Sequence, residues 1–292
     1  DQAFNPFGSA NGVPTANALA FTGSTLRIQR VLEEVGNRDN QQEVKTLRVA
    51  AGLDGTAELA GEWRWDAFLS WSRNEASFDA LNQVNFESIF RALGAPAVCA
   101  AATGCTPLNI FGQITGSMAD YIRYNGHDEQ EATQVNFALN ATRDLLELPA
   151  GAVGFATGYE YRREKAVDVP DVFASSLSSV LPLVGGARQA PTTAQSRDPT
   201  SGQYDLHELY AEVNAPLLAD QPLAYSLDVD AALRHSKYST VGGETTAKFG
   251  VAYRPISSVL LRSTYSQGFR APSILELYQG SRNTNFQAVD PC

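Results

Sequence analysis

Between Leu223 and Leu233 the odd-numbered positions are Leu223, Tyr225, Leu227, Val229, Ala231 and Leu233, and Ser226, Asp228 and Asp230 lie between them. A strand built this way turns an apolar face to one environment and a polar face to another. The pattern recurs. Val135, Phe137, Leu139 and Ala141 alternate with Gln134, Asn136, Asn140 and Thr142. Leu209, Ala211 and Val213 alternate with Tyr210, Glu212 and Asn214, and Ala247, Phe249, Val251 and Tyr253 with Lys248, Gly250, Ala252 and Arg254. Alternating runs of about ten residues exceed the usual globular strand and suit a tilted crossing of a bilayer. A soluble two-sheet sandwich shows the same alternation with its apolar parity turned into a core. Alternation by itself leaves both architectures open.

The connections and aromatics favour the bilayer. Brief connections are expected at 53–61, 145–151, 217–222 and 254–256, and extended ones at 79–130, 167–202 and 269–292. Transmembrane barrels pair short turns at one end with long loops at the other. Trp63, Trp65 and Tyr253 lie beside short turns, and Tyr159, Tyr161 and Tyr265 toward the long connections, as two interfacial girdles would require. About nine antiparallel strands are expected, centred near residues 26, 48, 69, 138, 158, 210, 229, 250 and 262. Leu139 and Leu227 are expected on the outer face at mid-height. Phe86, Ile89, Phe90 and Leu93 fall at helical spacing and predict a short helix within the first long connection.

Composition removes other classes. No run of the 292 residues approaches the roughly 18 apolar positions of a membrane helix, a test that barrel strands do not meet anyway. The net charge of −10 and the absence of a basic stripe argue against nucleic acid. The first residues read as a polar loop rather than a leader, so the chain is expected to begin inside a longer protein. The three histidines, His127, His207 and His235, stand beside Asp128, Glu208 and Ser236. Adjacent residues on a strand face opposite sides, so neither His207–Glu208 nor His235–Ser236 makes a catalytic pair. No catalytic residue, metal ligand set or cofactor is expected.

A family resemblance begins at Gln267 and runs through Gly268, Phe269, Arg270, Ala271, Pro272, Ser273, Ile274, Leu275, Glu276, Leu277 and Tyr278. This segment resembles the "GFRAPS…ELY" signature of TonB-dependent receptors, the plugged barrel transporters of the bacterial outer membrane. Cys105-Thr106-Pro107-Leu108-Asn109-Ile110-Phe111-Gly112 is similar to the "C-x-PLNIFG" loop of Caulobacter- and sphingomonad-type members. The stretches Leu148–Arg162 and Glu208–Leu217 are similar to that group's "LPAG-VGFA-G-EYR" hairpin and "E-YAE-N-PL" strand.

The resemblance implies an all-β, antiparallel transmembrane barrel that takes up a small nutrient, a carbohydrate or a siderophore-like ligand. Its implied partners are outer-membrane lipid and the TonB–ExbB–ExbD energy-transducing complex. Such barrels have about 22 strands around a plug. Residues 1–292 are therefore expected to be part of the barrel domain, with the plug and closing strands absent. Asn109, Phe111, Tyr121, Tyr124 and Asn125 are candidate ligand contacts, since aromatics and amides suit stacking and hydrogen bonding, although loop packing uses the same groups. In an oxidising compartment Cys99 and Cys105 are expected to form a disulfide. Family members often place a second cysteine soon after the position of Cys292, which implies a partner beyond it; a free thiol is the alternative. A passive porin and a soluble β-sheet binding protein remain the rival readings.

Overall fold

The computed structural model describes residues 30–183, 186–194 and 196–281. They form one antiparallel sheet of eight strands in simple sequence order. The strands are β1 (Asp39–Glu58), β2 (Glu62–Val84), β3 (Arg123–Leu148), β4 (Gly151–Val169), β5 (Thr200–Gln221), β6 (Ala224–Tyr238), β7 (Gly242–Ile256) and β8 (Val259–Ser266). Each contains one of the expected centres, from residue 48 to residue 262. The centre near residue 26, like Cys292, lies outside the described residues.

The two faces separate by parity, as the sequence required. Leu53, Leu69, Leu139, Leu209, Leu233 and Phe249 occupy one face, and all remain between 42% and 71% exposed. No second sheet covers them, so the soluble sandwich is excluded among the described residues. So much contiguous apolar surface is stable only against lipid or another apolar body. On this face Tyr161 and Tyr265 close the apolar runs toward the long connections, with Tyr159 one position inside. Trp63 and Trp65 stand at the other end. Leu139 sits within its run, whereas Leu227 is the fourth residue of β6 and lies near the turn, below mid-height.

The margin of the apolar face does not follow the hydrogen-bonded rows. Leu47, the last apolar outward residue of β1, pairs with Arg73, so on β2 the run stops one outward position lower, at Trp71. Val135 pairs with Arg163 and Tyr161 with His207, so the margin drops again at β4 and at β5. Leu209 pairs with His235, and β6 ends its run at Leu233. Between β2 and β3, where Trp71 faces Val135, and between β6 and β7, where Leu233 faces Ala247, it stays level.

The short turns are tighter than the sequence suggested, because the strands continue through residues that look like breakers. Gly52, Asp54 and Gly55 lie inside β1, and the turn is Leu59–Gly61, with Ala60 and Gly61 at positive φ. Gly55 belongs in the strand because a Cβ there would meet the Trp65 ring at 3.2 Å. Leu223, expected as a strand residue, forms the β5–β6 turn with φ of 61°. Pro216 and Pro255 are accommodated at or beside register shifts in β5 and β7, where their missing N–H is tolerated. The short–long rhythm also fails once: β6 and β7 join through residues 239–241 at the end that carries the long loops.

The packed core lies at that end, which we term the mouth. The connection 85–122 folds into α1 (Phe86–Leu93), α2 (Pro96–Ala100) and α3 (Gly116–Ile122). Asn85 caps α1 by accepting the Ser88 N–H at 3.0 Å, and Phe86, Ile89, Phe90 and Leu93 fall within it as their spacing predicts. Ala92, Leu108, Ile114, Met118, Ala119 and Ile122 bury together with Val35 from the turn before β1. Cys99 and Cys105 are bonded, with Cα atoms 5.3 Å apart, and tie α2 to the following loop. The connection 170–199 begins with α4 (Val172–Ser175) and bonds to the first loop through Phe86 N–H to Pro191 O at 2.7 Å.

Candidate functional site

The polar face carries a connected set of side chains. Asn140 on β3 donates to Asp66 on β2 at 2.8 Å, and the Tyr210 hydroxyl of β5 donates to Asn140 at 2.8 Å. Arg234 of β6 lies over the Tyr210 ring at 5.4 Å. This chain crosses β4 at Gly158, where a Cβ would stand 2.5 Å from Tyr210 and 2.6 Å from Asn140. Glycine is required there by the side chains passing over it. Nearer the mouth, Gln134 donates to Glu164 at 3.1 Å, and Ser236 and Arg234 both engage Glu208. At mid-strand on β6 and β7, Lys248 pairs with Asp230 at 3.4 Å.

At the mouth an arginine holds the second long connection to the wall. Arg197 reaches Asp168 on β4 through Nε at 2.8 Å and Nη2 at 2.9 Å, and Asp128 on β3 through Nη1 at 2.9 Å. The bonds to Asp168 keep its guanidinium charged far beyond ordinary conditions. Asp128 also accepts the Asp171 N–H at 2.8 Å. Burial alone would raise the Asp171 carboxyl, but donation from the Tyr124 hydroxyl and from the Ala174, His127 and Phe173 N–H groups holds it below its usual range. Arg197 and Asp168 were not among the sequence candidates; nothing in their spacing marks them. They border a polar-face cavity of about 550 Å³ that Gln42, Gln83, Gln130 and Gln279 also line.

The five candidate ligand residues are not brought together in one pocket. Asn109 accepts the Phe111 N–H at 3.2 Å, and Asn125 accepts the Asn82 N–H at 2.9 Å. Tyr121 packs against the apolar loop core, and Tyr124 donates to Asp171 and lies 5.2 Å from the tilted Phe173 ring. Phe111 is 47% exposed.

The Gly268–Tyr278 motif forms a self-locked hook on the polar face. Its helix α5 (Ile274–Tyr278) has a complete capping box: Ser273 Oγ accepts the Glu276 N–H at 3.3 Å, and Glu276 accepts the Ser273 N–H at 2.8 Å. Arg270 grips the same Glu276 with two bonds of 2.9 and 3.0 Å. Ala271 and Pro272 bridge Arg270 to this cap. Ile274 buries against Tyr204 and Leu206, and Phe269 lies 6.0 Å from Tyr238. Tyr278 donates to Gln203 O at 3.1 Å and lies across Gly202, where a Cβ would be 2.1 Å from the ring. Leu277 completes the helix by donating to Ser273 O at 3.1 Å.

Two results are expected of this hook. Gly202→Ala should displace Tyr278 and raise hydrogen exchange at Leu277 and Gln279, an overpacking cost of about 1–3 kcal/mol. Adding Tyr278→Ala should make the Gly202 change silent, and a persistent deficit in the double variant would refute the contact. The second result concerns pH. The Arg270 bonds, then those from Ser273, lower the Glu276 carboxyl from 4.5 to about 2. A depressed carboxyl contributes stability above its unfolded value that fades as pH falls through its folded value. Exchange at Leu277, corrected for intrinsic rate, should therefore rise between about pH 4.5 and 2. Glu276→Gln should show no such step.

An exposed apolar face, a bonded polar face, tight turns at one end and helix-capped loops at the other define the wall of a transmembrane β-barrel. The chain belongs to the "TonB dependent receptor-like, beta-barrel" family, whose pattern it matches over residues 2–291. No curated protein and no solved structure matches it. Members of this family sit in the bacterial outer membrane and are transporters rather than enzymes, driving TonB-dependent uptake. The apolar face accordingly meets lipid and the polar face the lumen.

Proposed function

We propose that this barrel imports a small polyhydroxylated nutrient of the carbohydrate class, as a receptor of the Caulobacter and sphingomonad type. The observation that carries the reading is the lumen cavity beneath the mouth. Its carboxamides at Gln42 and Gln279 offer paired donors and acceptors that match sugar hydroxyls, beside Gln130, which donates to Asp168 at 3.2 Å. Exposed Phe111 is the loop contact for a ligand's apolar face, and Asn109, Tyr121, Tyr124 and Asn125 shape the loops around it. The strand edges β1 and β8 are not paired with each other among the described residues. In lipid such edges require further strands, which the whole receptor supplies. Energy reaches the barrel from the TonB–ExbB–ExbD complex.

The test is uptake of labelled oligosaccharides and of ferric siderophores by cells carrying the full-length receptor, with and without TonB. Receptor-dependent oligosaccharide uptake that stops without TonB is expected. Uptake that continues without TonB would make the barrel a passive pore, and uptake of ferric siderophore alone would overturn the carbohydrate assignment.

A further inference from the structure

Just above the apolar margin, on the lipid side, the first polar residue of successive strands is Lys45, Arg73, Thr133, Arg163, His207 and His235. Five of these six strands thus begin their polar region with a cationic or titratable nitrogen, directly above the last apolar side chain. These groups follow the falling margin rather than a hydrogen-bonded row, so they mark one line along the surface. On β1 and β2 these cations are already paired, Lys45 with Glu43 at 3.0 Å and Arg73 with Glu75 at 2.6 Å and Glu131 at 2.8 Å.

The line deepens into a groove where β4, β5 and β6 meet. Tyr161, His207 and Lys237 are direct cross-strand neighbours on the lipid face. With Arg163, Asp205 and Ser239 they border a cavity of about 670 Å³. The floor is aromatic: Tyr159 Oη lies 2.7 Å from His207 Nδ1, the Tyr161 ring is 5.1 Å from the imidazole, and the Tyr161 hydroxyl donates to Asp205 at 2.6 Å. Arg163 spends only Nε on Asp205, at 2.7 Å, which leaves its terminal nitrogens as donors. The Lys237 side chain is exposed. Exposed ion pairs such as Arg163–Asp205 contribute little in water, so an anion can compete for the arginine.

We propose that this groove binds the phosphorylated headgroup of an outer-leaflet lipid, with Arg163 and Lys237 contacting phosphate and the acyl chains lying on the apolar residues below. A lipid is the occupant because the cations are continuous with the lipid-facing surface: a phosphate held there places its chains on Leu209, Ala211 and Leu233. Acidic lipid headgroups attract each nearby Lys or Arg by about 1 kcal/mol.

The experiment uses the full-length receptor in detergent, with bound lipid counted by native mass spectrometry. The probes are bis-phosphorylated lipid A, the same lipid after phosphatase treatment, and inorganic phosphate. Wild-type protein should retain the phosphorylated lipid, and Arg163→Gln/Lys237→Gln should weaken retention about thirtyfold. The lumen variant Lys248→Gln should retain it as wild type does. Equal retention of phosphorylated and dephosphorylated lipid by wild-type protein would overturn the proposal, and that comparison needs no variant to fold. Saturation of the groove by inorganic phosphate alone, or equal loss in Lys248→Gln, would overturn it too.

Discussion

Leu139→Arg should sharply reduce assembled receptor in the outer membrane, whereas Ala138→Arg on the same strand should be tolerated. Leu139 is 42% exposed within the apolar run of β3, so arginine there must be drawn into hydrocarbon. Midplane cations on barrel exteriors cost about 2–4 kcal/mol, and lumen positions far less. Ala138 lies on the opposite face at the same height, next to Phe68 and Glu160, and serves better as the control than Asn140. Arginine at 140 would also break the bonds to Asp66 and Tyr210 and confuse two effects. Folded and unfolded receptor can be separated by heat-modifiable migration and the difference quantified by urea titration in lipid vesicles. Equal outcomes at both positions would refute the assignment of faces.

The second large effect is expected at Arg197→Met. Removing this guanidinium leaves Asp128 and Asp168 near one another without their shared cation. Breaking a buried pair from one side costs about 3–5 kcal/mol. The Asp128 side chain is 26% exposed and that of Asp168 13%, so solvent lowers the expected penalty to about 2–3 kcal/mol. The loss should be local: connection 170–199 should become cleavable by protease on intact cells while the sheet persists. Arg197→Met with Asp168→Asn should recover part of the protection, because one of the stranded charges is gone. Unchanged protease resistance in the single variant would show that the bonds between the two loops, such as Phe86 to Pro191, hold the connection without Arg197.

Period-two patterning made the eight described strands legible in the sequence, because each strand separates two solvents and every residue must choose one. Helix α1 was legible for the same reason at a different period. The turns were less so: Gly52, Asp54 and Gly55 look like a turn in one dimension, and only the cross-strand Trp65 ring explains why a glycine continues the strand. The polar chain Asp66–Asn140–Tyr210–Arg234 could not be read at all. Asn140 lies 74 positions from Asp66 and 70 from Tyr210, and the two bonds form only through register. Gly158 and Gly202 were equally silent, since their necessity comes from side chains of other segments. The loop residues Asn109, Tyr124 and Asn125 had the right chemistry for a ligand, but their contacts show the same groups serving the backbone and neighbouring loops.

The falling margin of the apolar face also measures the slope of the strands. From β1 to β7 the margin descends by two residues at four of the six junctions. Two residues of strand advance about 6.7 Å, and neighbouring strands stand about 4.8 Å apart. The descent is therefore about 27 Å over a lateral distance of about 29 Å, an inclination near 43° if the margin is level with the bilayer. Hydropathy thus records in one dimension an angle that otherwise belongs to the assembled cylinder. Inserting a residue pair into one strand would keep every side chain on its proper face and yet put that angle in conflict with its neighbours.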